Sequence, residues 1–199
     1  SNEAWLHYLQ GRHEWTLRTE EALTRSVTQF EAALRVDPQF ALGYSGMADA
    51  YTVMGAYGFL SRTRAYTLAR EAADRAVQFG PMLAEAHFSL GQAQKNQFDW
   101  EPAEASFRRG LELAPDSSQG HHWYSIYLTQ RRRFDEAIRE AQLAIDLDPT
   151  SLTPRTHLAA VLVLGRRYRD GITQWESCIE LGANQINTFR GLSKAYLYV

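Results

Sequence analysis

Prolines recur in this chain at a fixed interval: Pro81, Pro115 and Pro149 lie 34 residues apart, and Pro38 lies 43 residues before Pro81. A period of that length confines a sequence to repeat architectures. Other columns keep the same period. Leu90-Gly91, Ala103, Phe107, Gly110 and Pro115 are followed by Tyr124-Ser125, Ala137, Ala141, Ala144 and Pro149. Leu158-Ala159, Gly171, Trp175, Cys178 and Ala183 then repeat the order, with large residues over large and small over small. Each unit splits into two segments with apolar residues at three- and four-residue steps, such as Ala137, Ile138, Ala141, Ala144 and Ile145. Each is therefore expected to be a pair of amphipathic helices. Asp37-Pro38, Ala114-Pro115 and Asp148-Pro149 should close the second helices, because the residue before proline avoids the helical region. Thr19 and Asp99 are expected as N-caps, with Pro102 harmless in the first turn that follows.

The pattern resembles the tetratricopeptide repeat (TPR), which carries Leu-Gly/Ala, Ala, a large residue, Ala and Pro at fixed positions. The unit starting at Ala84 places Leu90, Gly91, Ala103, Phe107 and Pro115 there; the unit from Ser118 places Ala137, Ala144 and Pro149. The unit from Leu152 places Leu158, Ala159 and Trp175, with Ala183 where proline is expected. Upstream, Tyr44, Ala48, Tyr51, Ala69, Ala76 and Pro81 fit a unit with nine extra residues around Gly55 to Arg64. A first unit keeps Phe30, Ala33 and Pro38, but its first helix, near Ala4 to Arg12, is degenerate. Phe189, Leu192, Ser193 and Tyr196 look like the first helix of a sixth unit. The resemblance implies an all-α TPR solenoid, a right-handed superhelix of antiparallel helix pairs. The expected repeats are 3–39, 40–83, 84–117, 118–151 and 152–185, with a partial one at 186–199, all in a single domain of eleven helices. Its longest irregular connection is expected between Gly55 and Arg64.

Composition narrows the function classes. Twenty-one basic residues face twenty-three acidic ones, a net charge of −2, without the basic excess expected of a nucleic-acid binder. One cysteine, Cys178, rules out a disulfide framework or a Cys-based zinc cluster. No apolar run reaches the length of a membrane span. The Ser1-Asn2 start, without methionine, is expected of a piece of a longer chain. A cytoplasmic location is favoured, or an extracytoplasmic one if the parent chain is membrane-anchored.

Candidate chemistry is thin. His121 and His122 point about 100° apart on a helix and cannot grip one metal from the same face, so neither metal nor cofactor is expected. Cys178 falls in a small-residue column and reads as a buried thiol. No nucleophile elbow or Gly-rich phosphate loop is present, and the chain reads as no enzyme. Arg131-Arg132-Arg133 and Arg166-Arg167-Arg169 occupy equivalent turns and read as solvated turn residues.

In TPR proteins the first helix of each pair lines a concave groove that holds a peptide or protein segment. Carried onto this chain, the resemblance implies groove residues Ser45 and Asp49, then Phe88, Gln92 and Lys95, then His122, Trp123 and Ile126, and Thr156. Such a mixed row suits a protein segment as ligand. Phe88 and Ile126 are expected as contact residues whose loss leaves the fold intact. Tyr8-Leu9-Gln10-Gly11-Arg12, Phe98-Asp99-Trp100 and His121-His122-Trp123-Tyr124 further resemble TPR regions of bacterial multidomain signalling proteins, which also carry winged-helix, nucleotide-cyclase or kinase domains. The chain would then be the sensing or docking arm of an enzyme or transcription factor. The apolar residues Leu192, Tyr196 and Leu197 suggest self-association through the last helix.

Overall fold

The computed structural model describes residues 1–183 and 185–197, with residues 185–187 by backbone alone. Residues 184, 198 and 199, which belong to the expected fifth repeat and the partial sixth, lie outside the described residues. Among the described residues there are eleven helices and no strand: α1 (Asn2–Thr16), α2 (Glu20–Val36), α3 (Ala41–Tyr57), α4 (Arg62–Phe79), α5 (Ala84–Asn96), α6 (Trp100–Leu113), α7 (Ser118–Gln130), α8 (Phe134–Leu147), α9 (Leu152–Leu164), α10 (Tyr168–Glu180) and α11 (Gln185–Tyr196). They fall into two compact units, Ser1–Pro115 with α1–α6 and Asp116–Val199 with α7–α11. Within each unit successive helices pack on one another, and first helices also touch first helices: α1 on α3, α3 on α5, α7 on α9 and α9 on α11.

The 34-residue register holds from Ala84 onward. First helices start at residues 84, 118 and 152, and second helices at 100, 134 and 168. The turn inside each pair is a recurring hydrogen-bonded cap. Phe98, Arg132 and Arg166 take left-handed φ values of 65°, 59° and 63°. The next residue donates its N–H back across the turn, Asp99 to Gln94 O, Arg133 to Leu128 O and Arg167 to Leu162 O, at 3.0, 2.9 and 2.8 Å. These six-to-one bonds satisfy carbonyls that the helix end leaves open. Arg131, Arg132, Arg133, Arg166 and Arg167 are thus turn residues, whereas Arg169 lies in the first turn of α10; Arg133 and Arg167 pair with Glu136 and Asp170 at 2.7 and 2.9 Å.

Second helices end differently. Asp37, Gly80, Ala114 and Asp148 leave the helical region with φ between −139° and −135°, as the following prolines require. Where Ala183 replaces proline, α10 closes instead with Gly182 at φ 81°, and Ala183 N–H bonds Cys178 O at 2.9 Å. Thr19 caps α2 through Ala22 N–H. The expected Asp99 cap is not made, because that carboxylate turns to Arg70 at 3.2 Å.

The nine extra residues do not form an irregular loop. They lengthen α3 to 17 residues and α4 to 18, against 13 and 14 in α5 and α6. Only residues 58–61 connect the two helices. About one added turn per helix preserves the apolar face of both, so the insertion is absorbed where packing can stabilise it. The first helix of the opening pair, where the repeat motif is degenerate, spans Asn2–Thr16.

Glycines and aromatic rings interlock the pairs. Phe30 is fully buried against Gly11 of α1 and Gly46 of α3. Phe107 fits against Gly91, Phe88 against Gly110, and Trp175 against Gly191. Alanine clusters fill the rest: Ala48, Ala72, Ala73 and Ala93 in the first unit, and Ala141 with Ile145, Leu158 and Leu162 in the second.

Candidate functional site

The left-handed turn residues provide a register for the first-helix face. Counting back from Arg18, which has φ 57°, aligns Trp5, Tyr8, Arg12 and Trp15 with Glu85, Phe88, Gln92 and Lys95 counted back from Phe98. Counting back from Pro38 misplaces these residues, because α2 is 17 residues long rather than the 14 of α6. That shift is why Arg12 and Trp15 escape a reading of the sequence.

In the first unit this face is sealed by polar contacts between neighbouring helices. Arg12 Nη1 lies 2.9 Å from Asp49 Oδ2. Ser89 Oγ donates to Asp49 Oδ1 at 2.8 Å, and the Ser45 and Ser89 hydroxyls meet at 2.7 Å. Burial raises the Asp49 carboxyl above the ordinary carboxylate value, against the opposing pull of Arg12 and Ser89. Burial also pushes the nearby Tyr8 phenol up to about 12, with Arg12 pulling the other way.

Five of the nine expected groove residues are consequently not accessible. Ser45, Asp49, Phe88, Gln92 and Lys95 are only 3, 6, 2, 6 and 7% exposed. Phe88 is corrected outright: its ring packs on Gly110 of α6 as part of the core. Lys95 carries its ammonium in a buried position, and burial alone lowers its pKa to about 8.

The second unit is open on the same face. Gln119, His122, Ile126 and Thr129 of α7, and Thr156, Ala160 and Val163 of α9, are all half-buried, and Thr153 is exposed. Trp123 is also half-buried, whereas its neighbours Tyr124 and Tyr127 are core residues stacked 5.9 Å apart. His157 joins the two helices. The Ser125 hydroxyl donates to Ala137 O at 2.7 Å and the Thr129 hydroxyl to Ser125 O at 2.8 Å. Their protons are spent, so the His157 Nε2 atom 3.1 Å from Ser125 Oγ is the donor, which fixes its tautomer. The His122 ring meets His157 edge-on at 5.4 Å. His121 turns away to Glu140, 2.6 Å distant. Among the described residues no group of three His, Cys, Asp or Glu side chains is placed to hold a metal. Cys178 is fully buried and its thiol pKa is raised by burial. No described helix is long and apolar enough to cross a membrane.

Residues 84–117 match the family model of the tetratricopeptide repeat. No curated protein matches the chain. Among solved structures, a thermophilic TPR protein of Thermus thermophilus is similar at TM-score 0.77 and 16% identity, over 98% of this chain and 99% of that one. Human IFIT1, solved as a dimer with m7Gppp-AAAA, is similar at 0.82 and 14%, over 98% of this chain but 46% of its own. YrrB, a TPR protein described as having an unusual peptide-binding site, is similar at 0.58 and 16%, over 87% and 84%. Such identities carry the fold and nothing finer. Residues 84–117 thus match the tetratricopeptide repeat by sequence, and the paired helices of the described residues share the fold of the TPR proteins among these structures.

Proposed function

We propose that the chain is a non-catalytic interaction module that binds a protein segment on the first-helix face of its second unit. The accessibility of the α7 and α9 rows carries this reading. Ile126, Ala160 and Val163 offer apolar contact beside the adaptable polar groups of His122, Thr129 and Thr156, a mixture that suits an extended or helical peptide. The peptide-binding site named for YrrB is in keeping with it. The sealed face of the first unit then serves as scaffold. The motifs Phe98-Asp99-Trp100 and His121-His122-Trp123-Tyr124 are the basis for reading the chain as the docking arm of a larger signalling protein, which the surrounding reading frame would test.

The direct experiment is affinity capture with this chain as bait, followed by amide shift mapping with the captured segment. Shifts should concentrate on α7 and α9, and Ile126→Ala with Val163→Ala should weaken capture about tenfold, ~1.4 kcal/mol. Shifts confined to the open crevice of about 520 Å³ between α3 and α4, lined by Tyr44, Met47, Tyr51 and Leu68 among others, would overturn this reading.

A further inference from the structure

The first helices of the second unit carry one face at 34-residue intervals: His121, Ser125 and Leu128 of α7, Arg155, Ala159 and Leu162 of α9, and Phe189, Ser193 and Tyr196 of α11. In α7 and α9 the second helix of the pair covers it. The Ser125 hydroxyl reaches Ala137 O of α8 at 2.7 Å, His121 reaches Glu140 of α8, and Gly171 of α10 lies against the Ala159 carbonyl. Ser125, Leu128 and Ala159 are consequently fully buried, and Leu162 is 6% exposed.

On α11 no described helix covers the equivalent face. The helix rests on α9 and α10, with Thr188 and Ala195 buried and Gly191 against the Trp175 ring. On the adjoining side Phe189 is 49% and Tyr196 55% exposed, and Ser193 between them is exposed as well. The Tyr196 hydroxyl donates to Glu176 of α10 at 2.9 Å, which holds that ring in place. A small residue between two rings repeats the design of a helix-pair contact whose other half is missing.

Charge narrows what fits there. Arg190 and Lys194 follow Phe189 and Ser193 along one edge of the face, and no residue of α11 is acidic. Two copies of α11 packed antiparallel about a two-fold axis would set these basic edges against each other, which disfavours a second copy. By contrast α8, which covers the equivalent face of α7, carries Asp135, Glu136, Glu140 and Asp146 against Arg139 alone.

We propose that the Phe189–Ser193–Tyr196 face of α11 docks an acidic amphipathic helix of a partner protein, laid on it as α8 lies on α7. The partner sets a small residue over Ser193, as Ala137 meets Ser125, with apolar side chains against Phe189 and Tyr196 and carboxylates toward Arg190 and Lys194. This surface is separate from the α7 and α9 rows to which the peptide is assigned above, so either assignment can fail alone.

The test uses a synthetic peptide of the α8 sequence, Phe134–Leu147, titrated into the isotopically labelled protein at constant ionic strength. Amides from Phe189 to Leu197 and the Tyr196 ring should shift saturably. A peptide carrying Ala137→Phe should bind at least tenfold more weakly, since it overfills the closest approach. A peptide carrying Asp135→Lys, Glu136→Lys and Glu140→Lys should lose about tenfold. On the protein, Ser193→Phe should abolish the response. Because Ser193 is exposed, this variant keeps its melting temperature, so misfolding does not mimic the result. Shifts that are absent, that persist in Ser193→Phe, or that fall on α7 because the peptide displaces α8 would overturn the proposal. Equal binding of the lysine peptide would remove the acidic partner, and α11 shifts that follow protein concentration alone and block the peptide would replace it with a second copy.

Discussion

Arg12 and Asp49 form an ion pair of 2.9 Å that ties α1 to α3, the carboxylate side being 5% exposed and the guanidinium side 26%. Removing one partner of a buried pair leaves the other uncompensated, which costs more than the pair itself contributes. Arg12→Met should therefore destabilise the first unit by about 2–4 kcal/mol, below the fully buried limit because Arg12 still touches water. The loss should depend on pH. Asp49 already has a raised folded-state pKa, so its contribution is complete below the unfolded-state value and is lost as pH rises through the folded one. Without Arg12 that pKa rises further. Urea unfolding should then show a smaller deficit at about pH 4 than at about pH 7; an equal deficit at both would mean Asp49 is not the group left stranded.

Gly46 offers a contest between two effects of known size. Alanine in a helix interior gains about 1 kcal/mol over glycine, but a Cβ here would collide with Phe30, which is fully buried and touches Gly11 as well. Overpacking of about 1–3 kcal/mol should win, and Gly46→Ala should lower the melting temperature. Combining it with Phe30→Leu should recover part of the loss, as the double-mutant cycle would reveal.

Much of this fold is legible in the sequence because its signals are local. Pro115 and Pro149 fix where α6 and α8 stop, and the small residues Ala103 and Ala137 mark close helix contacts, so the register from Ala84 onward needs no tertiary knowledge. The stretch from Gly55 to Arg64 misleads, since two glycines and a serine look like a loop. Only packing against α5 and the preceding pair makes a longer helix the better solution. The site is less legible for the same reason. Repeat position identifies which side chains stand on the first-helix face, but whether they are reachable depends on how close α3 and α5 approach. The Ser45–Ser89 contact at 2.7 Å, together with Asp49, closes that gap. Nothing local distinguishes it from the open gap over Ile126 and Val163.

The recurring left-handed turns allow a test of backbone strain free of packing. Arg132 and Arg166 hold φ 59° and 63°, a region costing a residue with a Cβ about 1 kcal/mol or more. Arg132→Gly and Arg166→Gly should each raise stability by roughly 0.5–1 kcal/mol, the glycine's own unfolded-state entropy offsetting part of the relief. Gly182→Ala is the reverse experiment. Its φ is 81° and no atom lies within 4 Å of an added Cβ, so any loss of thermal stability there is purely conformational. If all three substitutions were neutral, the turns would be relaxing in solution to another geometry.

Phe88 and Ile126 separate core from contact surface. Sequence position groups them, yet Phe88 is 2% exposed against Gly110 whereas Ile126 is half-buried on the open face of α7. Phe88→Ala should cost about 3–5 kcal/mol, since removing a core ring adds a cavity to the lost burial. It is therefore useless as a binding probe. Ile126→Ala removes fewer buried atoms and should cost under about 1.5 kcal/mol while reducing capture of the partner. Calorimetry on both variants decides the matter before any binding is measured. A stable Phe88→Ala protein would return that ring to the ligand face, and a melted Ile126→Ala protein would place the α7 row in the core and remove the basis for the proposed peptide site.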